Sequence, residues 1–448
     1  MTQWIRLITW LVFLLTAAAG EAAPEWPGFL GAGATPLPAD SVPLAWSPTE
    51  NIAWKAALPG HGQSSPVIHG DDVFVTAVEG PLKDTYHVLC LSLADGTKRW
   101  RHSLPSTAPV KNSLYVSRAA PTPAVDADHI YAFFESGDFL AVNRDGSVAW
   151  NRSLAQDYGP FKNEFGLAAS VAQAADRVFL MIDHEGPSYV VAIAKADGRT
   201  LWKTDRTSRV SWSSPAFVTI DGVEQLVCSS AGSVDGYDAA TGELLWSLGD
   251  LGGNTAATPI PFAGGRFLVG ASPGREGHNA LGARQSNLAM TAKRVAGRWE
   301  PDVLWRAEKA MPSFGSPIVH GAEAYWVNRA GAVTCLDAAT GRSHYEQRSP
   351  ESVWATPLGV GDRVYLFGKN GTTTVIAAGP EWRVLATNRL WDPDDVQVDP
   401  DIGVNEDTEE KRRGAAMFAG RVQYGVATVP GSLLVRTGDV LYCVRDAD

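Results

Sequence analysis

The chain reads as short apolar runs separated by glycine-containing turns, and one stretch shows the pattern in full. In "SPIVHGAEAYWVNRAGAVTCLDAATGRSHY" (316–345), "PIVH", "AEAYWVN", "AVTCLD" and "RSHY" are four candidate strands, each too short for a stable helix and each closed by a turn residue. The spacing predicts an antiparallel meander. Its last turn, "DAATG", recurs at 238–242. There an Asp side chain can accept from nearby backbone N–H groups, and the Gly can take the positive φ of a tight reversal.

Placed in register, the chain puts a Gly four residues before an aromatic at Gly96/Trp100, Gly146/Trp150, Gly198/Trp202, Gly242/Trp246 and Gly341/Tyr345. Trp54, Trp305 and Trp391 continue the series, with steps of 40 to 59 residues. That period suits a four-stranded propeller blade, and a large flat side chain at a fixed place suits a wedge between blades. A second marker, a small hydroxylated residue before Pro, opens each unit: Ser65, Thr122, Ser214, Thr258, Ser316 and Thr356, with looser versions in "LAASV" (167–171) and "ATVPG" (427–431).

The ends decide the count. The last unit, 426–446, offers three strands and no aromatic fourth strand, whereas "NIAWKAAL" (51–58) is a fourth strand with no unit before it. Joined, they make an all-β, eight-bladed β-propeller of four-stranded antiparallel blades, closed by N-terminal strand pairing with the C-terminal blade; counting one weak unit as an insertion would leave seven. A single domain, 24–448, follows.

Composition refines this reading. The 448 residues include 44 Gly and 28 Pro, as a turn-rich fold requires, and the net charge of −11 argues against nucleic acid and acidic lipid as partners. Residues 1–23 have one Arg, an apolar run from Leu7 to about Ala19 and then small residues, which predicts a signal peptide cleaved between 19 and 23. The run is short of the ~20 residues of a membrane span, and with no Cys near the cleavage region the exported protein, periplasmic or extracellular, is expected to carry no N-terminal lipid anchor. Cys90, Cys335 and Cys443 occupy one position of the repeat on separate units, which predicts buried free thiols rather than disulfides.

The pattern A-x-D-x-x-T-G-x-x-x-W, matched at Asp238, Thr241, Gly242 and Trp246, resembles the exported proteins with repeats like those of pyrroloquinoline-quinone (PQQ) dehydrogenases, a family that includes the outer-membrane assembly scaffold BamB. The resemblance spans about residues 26–446. It implies structural docking by Trp54, Trp100, Trp150, Trp202, Trp246, Trp305, Tyr345 and Trp391. Tyr345 in place of Trp, and Pro301 where the Trp305 unit should have Gly, depart from the pattern. For a PQQ enzyme the resemblance would imply adjacent cysteines over the cofactor, a calcium held by acidic and amide groups, and a catalytic Asp. No two cysteines are adjacent here, so neither PQQ nor Ca²⁺ is expected as a cofactor.

Other motifs are weak. "GFLGAG" (28–33) precedes no helical pattern and reads as coil; His184-Glu185 reads as a polar loop rather than a metal site. The acidic run from Asp392, with Asp394, Asp395, Asp399 and Asp401, lacks the spacing of an EF-hand and reads as a solvated insertion. Asn151-Arg152-Ser153 and Asn370-Gly371-Thr372 are glycosylation sequons that matter only in a eukaryotic secretory pathway.

Length variation is more informative. The long segments 105–120, 156–166, 273–288 and 392–416 all fall on the face opposite the DATG-type turns, which marks that face for binding; drift in a tolerant loop set is the other reading. Trp212, Phe314 and Trp354, each three residues before the repeat's Pro, are expected near the channel mouth, with Lys111, Asn112, Tyr115, Arg118, Tyr158, Phe161, Asn163 and Phe165 around them. Aromatics mixed with amides and Arg suit a protein or peptide partner, with carbohydrate as the alternative ligand. The expectation is a monomeric, non-enzymatic exported scaffold; a quinoprotein oxidoreductase and a carbohydrate-binding or carbohydrate-processing protein are the alternatives.

Overall fold

A computed structural model describes residues 24–31, 37–113, 116–273, 280–396 and 406–446. The signal-peptide reading of 1–23 lies outside the described residues. Eight antiparallel sheets follow one another along the chain. The first blade contains Val67–His69, Asp72–Glu79, Thr85–Ser92 and Lys98–Pro105 in that order. Blades two to seven occupy 124–153, 172–206, 216–251, 260–306, 318–348 and 358–389. The eighth is built from both ends of the chain. Ile52–Ala57 pairs antiparallel with Val440–Val444, with Ile52 opposite Val444 and Ala57 opposite Val440. Closure leaves no blade without a neighbour, and second and third strands, buried on both faces, carry the core.

Two circumferential devices account for the markers in the sequence. In the first, an indole N–H donates to a backbone carbonyl in the next blade: Trp54 to Leu93, Trp100 to Arg144, Trp150 to Lys195, Trp202 to Ala239 and Trp305 to Ala338. The ring lies against the turn glycine of that next blade, respectively Gly96, Gly146, Gly198, Gly242 and Gly341, each at positive φ. Each glycine thus receives the aromatic of the preceding blade rather than its own. In the second device, the backbone N–H before each first strand donates to the hydroxyl of the equivalent residue one blade on. Ser65 bonds to Thr122, Thr122 to Ser170, Ser170 to Ser214, Ser214 to Thr258, Thr258 to Ser316, and Ser316 to Thr356, at 2.9–3.1 Å. These bonds satisfy backbone donors around the channel that would otherwise be buried without partners.

Three assignments need correction. Trp246, the best match to the docking pattern, does not reach a neighbouring turn. The fifth blade's hairpin runs on from Leu288 to Arg306 and reverses only at Ala296-Gly297, with Pro301 inside its second strand opposite Ala292. The Trp246 indole instead donates to Gln225 Oε1 at 2.6 Å and stacks on Phe267. Trp391 lies beyond the strand Val384–Arg389, whose docking position is Ala386, opposite Val375. Its ring covers Gly371 and meets Tyr442, while Trp46 packs against the seventh blade, stacked on Tyr365 and with its backbone N–H bonded to Asn388. Finally, the hydroxyl position of the eighth blade is Gly425, where any Cβ would strike Ser65; "ATVPG" lies further along that strand. The hydroxyl of Tyr345 is buried. All four cysteines are buried and unpaired. Cys90, Cys335 and Cys443 face Trp100, Tyr345 and Trp54 across the third-to-fourth-strand register, one equivalent place on three blades.

Candidate functional site

Every long inter-blade segment, and the second-to-third-strand insertion with its helix Ala280–Ser286, emerges on the face opposite the docking turns. The largest described piece is 406–424, between the seventh and eighth blades. Its helix Glu409–Met417 starts at Thr408, whose Oγ1 accepts from Lys411 N, and Glu409 and Glu410 in the first turn suit the helix dipole. It is tied across the mouth of the channel. Ser113 Oγ donates to Glu406, Lys411 pairs with Glu164 at 3.4 Å, and Phe418 meets the edge of Trp354 at 5.3 Å. Those anchors belong to the loops that follow the first, second and sixth blades, so 406–418 forms a strap.

Beside the strap is a cleft of about 310 Å³ lined by Trp212, Met311, Phe314, Arg329, Met417 and Phe418, among others. Trp212 is held by its indole N–H to Gly166 O at 2.8 Å and by Phe165, 6.1 Å between ring centres. Phe314 packs on Trp354 at 4.9 Å yet remains 41% exposed, one of the few large apolar side chains so placed among the described residues. Arg329 is half-buried and makes no side-chain hydrogen bond or ion pair among the described residues. Aromatic walls with a single cation can take an apolar side chain and a neighbouring acceptor.

The structure brings Phe165, Trp212, Phe314 and Trp354 together and separates the rest. Lys111, Phe161 and Asn163 line a second pocket of about 230 Å³ with Lys83, Glu135, Glu406 and Lys411. Asn112 is bonded to Gly80 O, and Asn163 Oδ1 accepts from Phe165 N, shaping that loop. Tyr158 and Phe161 are half-buried and pack against the core between the second and third blades, Tyr158 on Tyr189 and Phe161 beside His184. Arg118 is buried, and Tyr115 lies outside the described residues. His184 is itself a loop organiser: its Nδ1 accepts from Gly186 N and Lys162 N, and burial lowers its pKa. Asp392, Asp394 and Asp395 form a short 3₁₀ turn, and Asp399 and Asp401 lie outside the described residues. Among the described residues no three His, Cys, Asp or Glu side chains gather as a metal-ligand set.

Arg329 carries no sequence signal, and Met417-Phe418 is a short apolar end on a long acidic, polar stretch, so neither was legible in the sequence. Nor was the fate of "EWPGFLG" (25–31). Glu25–Trp26 adds to the inner edge of the first blade, opposite His69 and Ile68. Pro24 O accepts from Gly70 N, a residue of a docking-face turn, and Pro27 O from Val125 N. Phe29 and Leu30 therefore stand inside the channel, between cavities of about 290 and 640 Å³. The lining of those cavities is mostly apolar or small, with Gln173, Glu224, His320 and Tyr424 and neither Lys nor Arg.

Fold and repeats together define an eight-bladed propeller of PQQ-like repeats. More specifically, the chain belongs to the family described as outer membrane protein assembly factor BamB, whose model matches residues 44–166, 159–277 and 293–441. BamB from Moraxella catarrhalis shares the fold with a TM-score of 0.57 at 12% identity, over 87% of this chain and 95% of that one. Quinohemoprotein alcohol dehydrogenase from Comamonas testosteroni gives a TM-score of 0.58 at 10% identity, over 95% and 81%. The computationally designed Ika8 protein gives 0.54 at 11%, over 87% and 98%. No protein of curated function matches the sequence. An assembly factor and an oxidoreductase thus share this fold, and no helix among the described residues is long and apolar enough to cross a membrane.

Proposed function

We propose that the protein is a non-enzymatic exported scaffold that binds a polypeptide segment in the aromatic cleft of its insertion-bearing face. The observation that carries this reading is the cleft itself, where exposed Phe314 and unpaired Arg329 face Trp212, Met417 and Phe418. Such a mixture of aromatic, methionine and arginine groups is characteristic of the centre of protein interfaces. Family membership supports it. The channel supports it too: PQQ is a planar tricarboxylate, and no Lys or Arg lines the two cavities beside Phe29 and Leu30. Cys90, Cys335 and Cys443, each in a third strand beneath a fourth-strand partner, and Cys228, in a second strand, offer no adjacent pair of the kind the resemblance implies over PQQ.

Peptide and glycan arrays probed with the purified protein, alongside a dye-linked assay after incubation with PQQ and Ca²⁺, test the reading. Binding to peptides and no turnover is expected. Turnover with alcohols or sugars, or binding to glycans alone, would replace it with one of the alternatives.

A further inference from the structure

The seam where the ring closes holds two buried guanidinium groups, neither in an ion pair with a described carboxylate. Arg436, at the end of the strand Ser432–Arg436, is fully buried. Its Nη1 donates to Ser64 O and Oγ and its Nη2 to Thr76 O, all neutral acceptors in the first blade, and its Nε has no partner. Arg118, 6% exposed, leaves both Nε and Nη2 without partners. Glu135, Glu406 and Tyr424 lie near enough to favour the charge of Arg118, but both carboxylates direct their hydrogen bonds elsewhere. Glu135 receives Lys83 Nζ at 3.1 Å and Ala119 N, and both oxygens of Glu406 receive Ser113 Oγ.

The two arginines flank one short segment. Gly62 and Ser64 lie against Arg436, so that a Cβ at Gly62 would collide with its guanidinium, and Gln63 Oε1 accepts from Arg118 N. His61, next to them, has a buried Nε2 without a partner and packs edge-on to Tyr424 at 5.8 Å. Burial without a counter-ion presses Arg436 down to about 9, still protonated at neutral pH. Buried charge of one sign is costly unless something pairs with it. His61, Gln63 and Tyr424 are only half-buried, which leaves the cluster a way to solvent.

We propose that this seam binds a small oxyanion, held between Arg118 and Arg436 with His61 and Tyr424 at the entrance. The ligand would be an inorganic oxyanion such as phosphate, or the carboxylate of a small organic acid; both offer acceptor oxygens to guanidinium N–H groups. Because the arginines reach the site from opposite ends of the chain, the bound anion would also fasten the closure.

The test uses the mature protein exchanged into a buffer whose only anion is a bulky sulfonate. Melting is followed against inorganic phosphate and, separately, acetate, up to about 20 mM, where a ligand of Kd near 1 mM already stabilises measurably. A saturable rise in Tm with phosphate identifies the inorganic ion, and one with acetate the carboxylate. Salts that act by exclusion from the surface stabilise any protein, so Arg118→Gln is measured in parallel. Because its Nε and Nη2 bond nothing, that variant should fold and should lose the anion-dependent rise. Arg436→Met should lose it as well if it folds. The proposal fails if neither anion moves the wild-type Tm, as when water alone fills the site, or if Arg118→Gln responds to the same extent as wild type.

Discussion

At Gly242 one residue meets two demands: φ is +77°, and a Cβ would lie 2.5 Å from the Trp202 ring of the preceding blade. Gly222 has almost the same φ, +75°, with nothing within 4 Å of its Cβ position. Gly222→Ala should therefore cost only the backbone penalty of about 1–2 kcal/mol. Gly242→Ala should cost about 1–3 kcal/mol more, because a packed indole must give way. Equal losses in chemical denaturation of the two variants would remove docking as the reason for the glycine. His184 makes a different demand. Its Nδ1 accepts two backbone N–H groups and so must be unprotonated, and burial lowers its pKa, as it does for His61, His87 and His102. The folded chain then binds fewer protons than the unfolded chain, so stability is complete above the ordinary histidine pKa of about 6.5 and falls as pH drops below it. Tm should be flat from about pH 7 to 8 and decline toward pH 5, with a shallower decline in His184→Gln. A Tm that rises on acidification would contradict this sign.

Among the elements, the strand Ile52–Ala57 has a role out of proportion to its length. It belongs to no blade of its own part of the chain, yet supplies the fourth strand and docking Trp of the last. A protein beginning at Gly60 would lose no complete blade, but Val440–Val444 would be left as an open edge and Gly96 without the indole that covers it. It should melt well below a protein comprising residues 24–448 and self-associate, as calorimetry and sedimentation would show; an unchanged, monomeric melt would count against closure. This strand was legible in advance because a fourth strand without a blade and a blade without a fourth strand are both visible in one sequence. The docking positions were legible for the same reason: repeated chemistry at repeated spacing. Trp246 and Trp391 were misread where local insertions break the period. The hairpin at 288–306 overshoots its turn, and Trp391 sits five residues past Ala386, the true docking position. The strap and the channel segment 24–31 were illegible for a more basic reason. Neither repeats, and their positions depend on contacts with blades far away in sequence, such as Glu406 with Ser113 and Pro24 with Gly70.

For the whole molecule, the two faces differ in kind. One carries short, glycine-dependent turns that lock blade to blade, and the channel is obstructed from that side by Phe29 and Leu30. The other carries the insertions, the strap and the cleft that combines exposed aromatic surface with Arg329. A rigid ring that holds several variable loops at fixed distances suits recognition of a partner. Aromatic residues central to such a surface typically cost more than 1 kcal/mol of binding when truncated. The most direct measurement is the dissociation constant of an array-selected peptide for wild type, Phe314→Ser, Trp212→Ala and the exposed fourth-strand control Val384→Ser. A loss of about tenfold or more is expected for the two cleft variants and none for the control. Undiminished binding by both cleft variants, with their folds intact, would contradict the assignment of this face as the binding site.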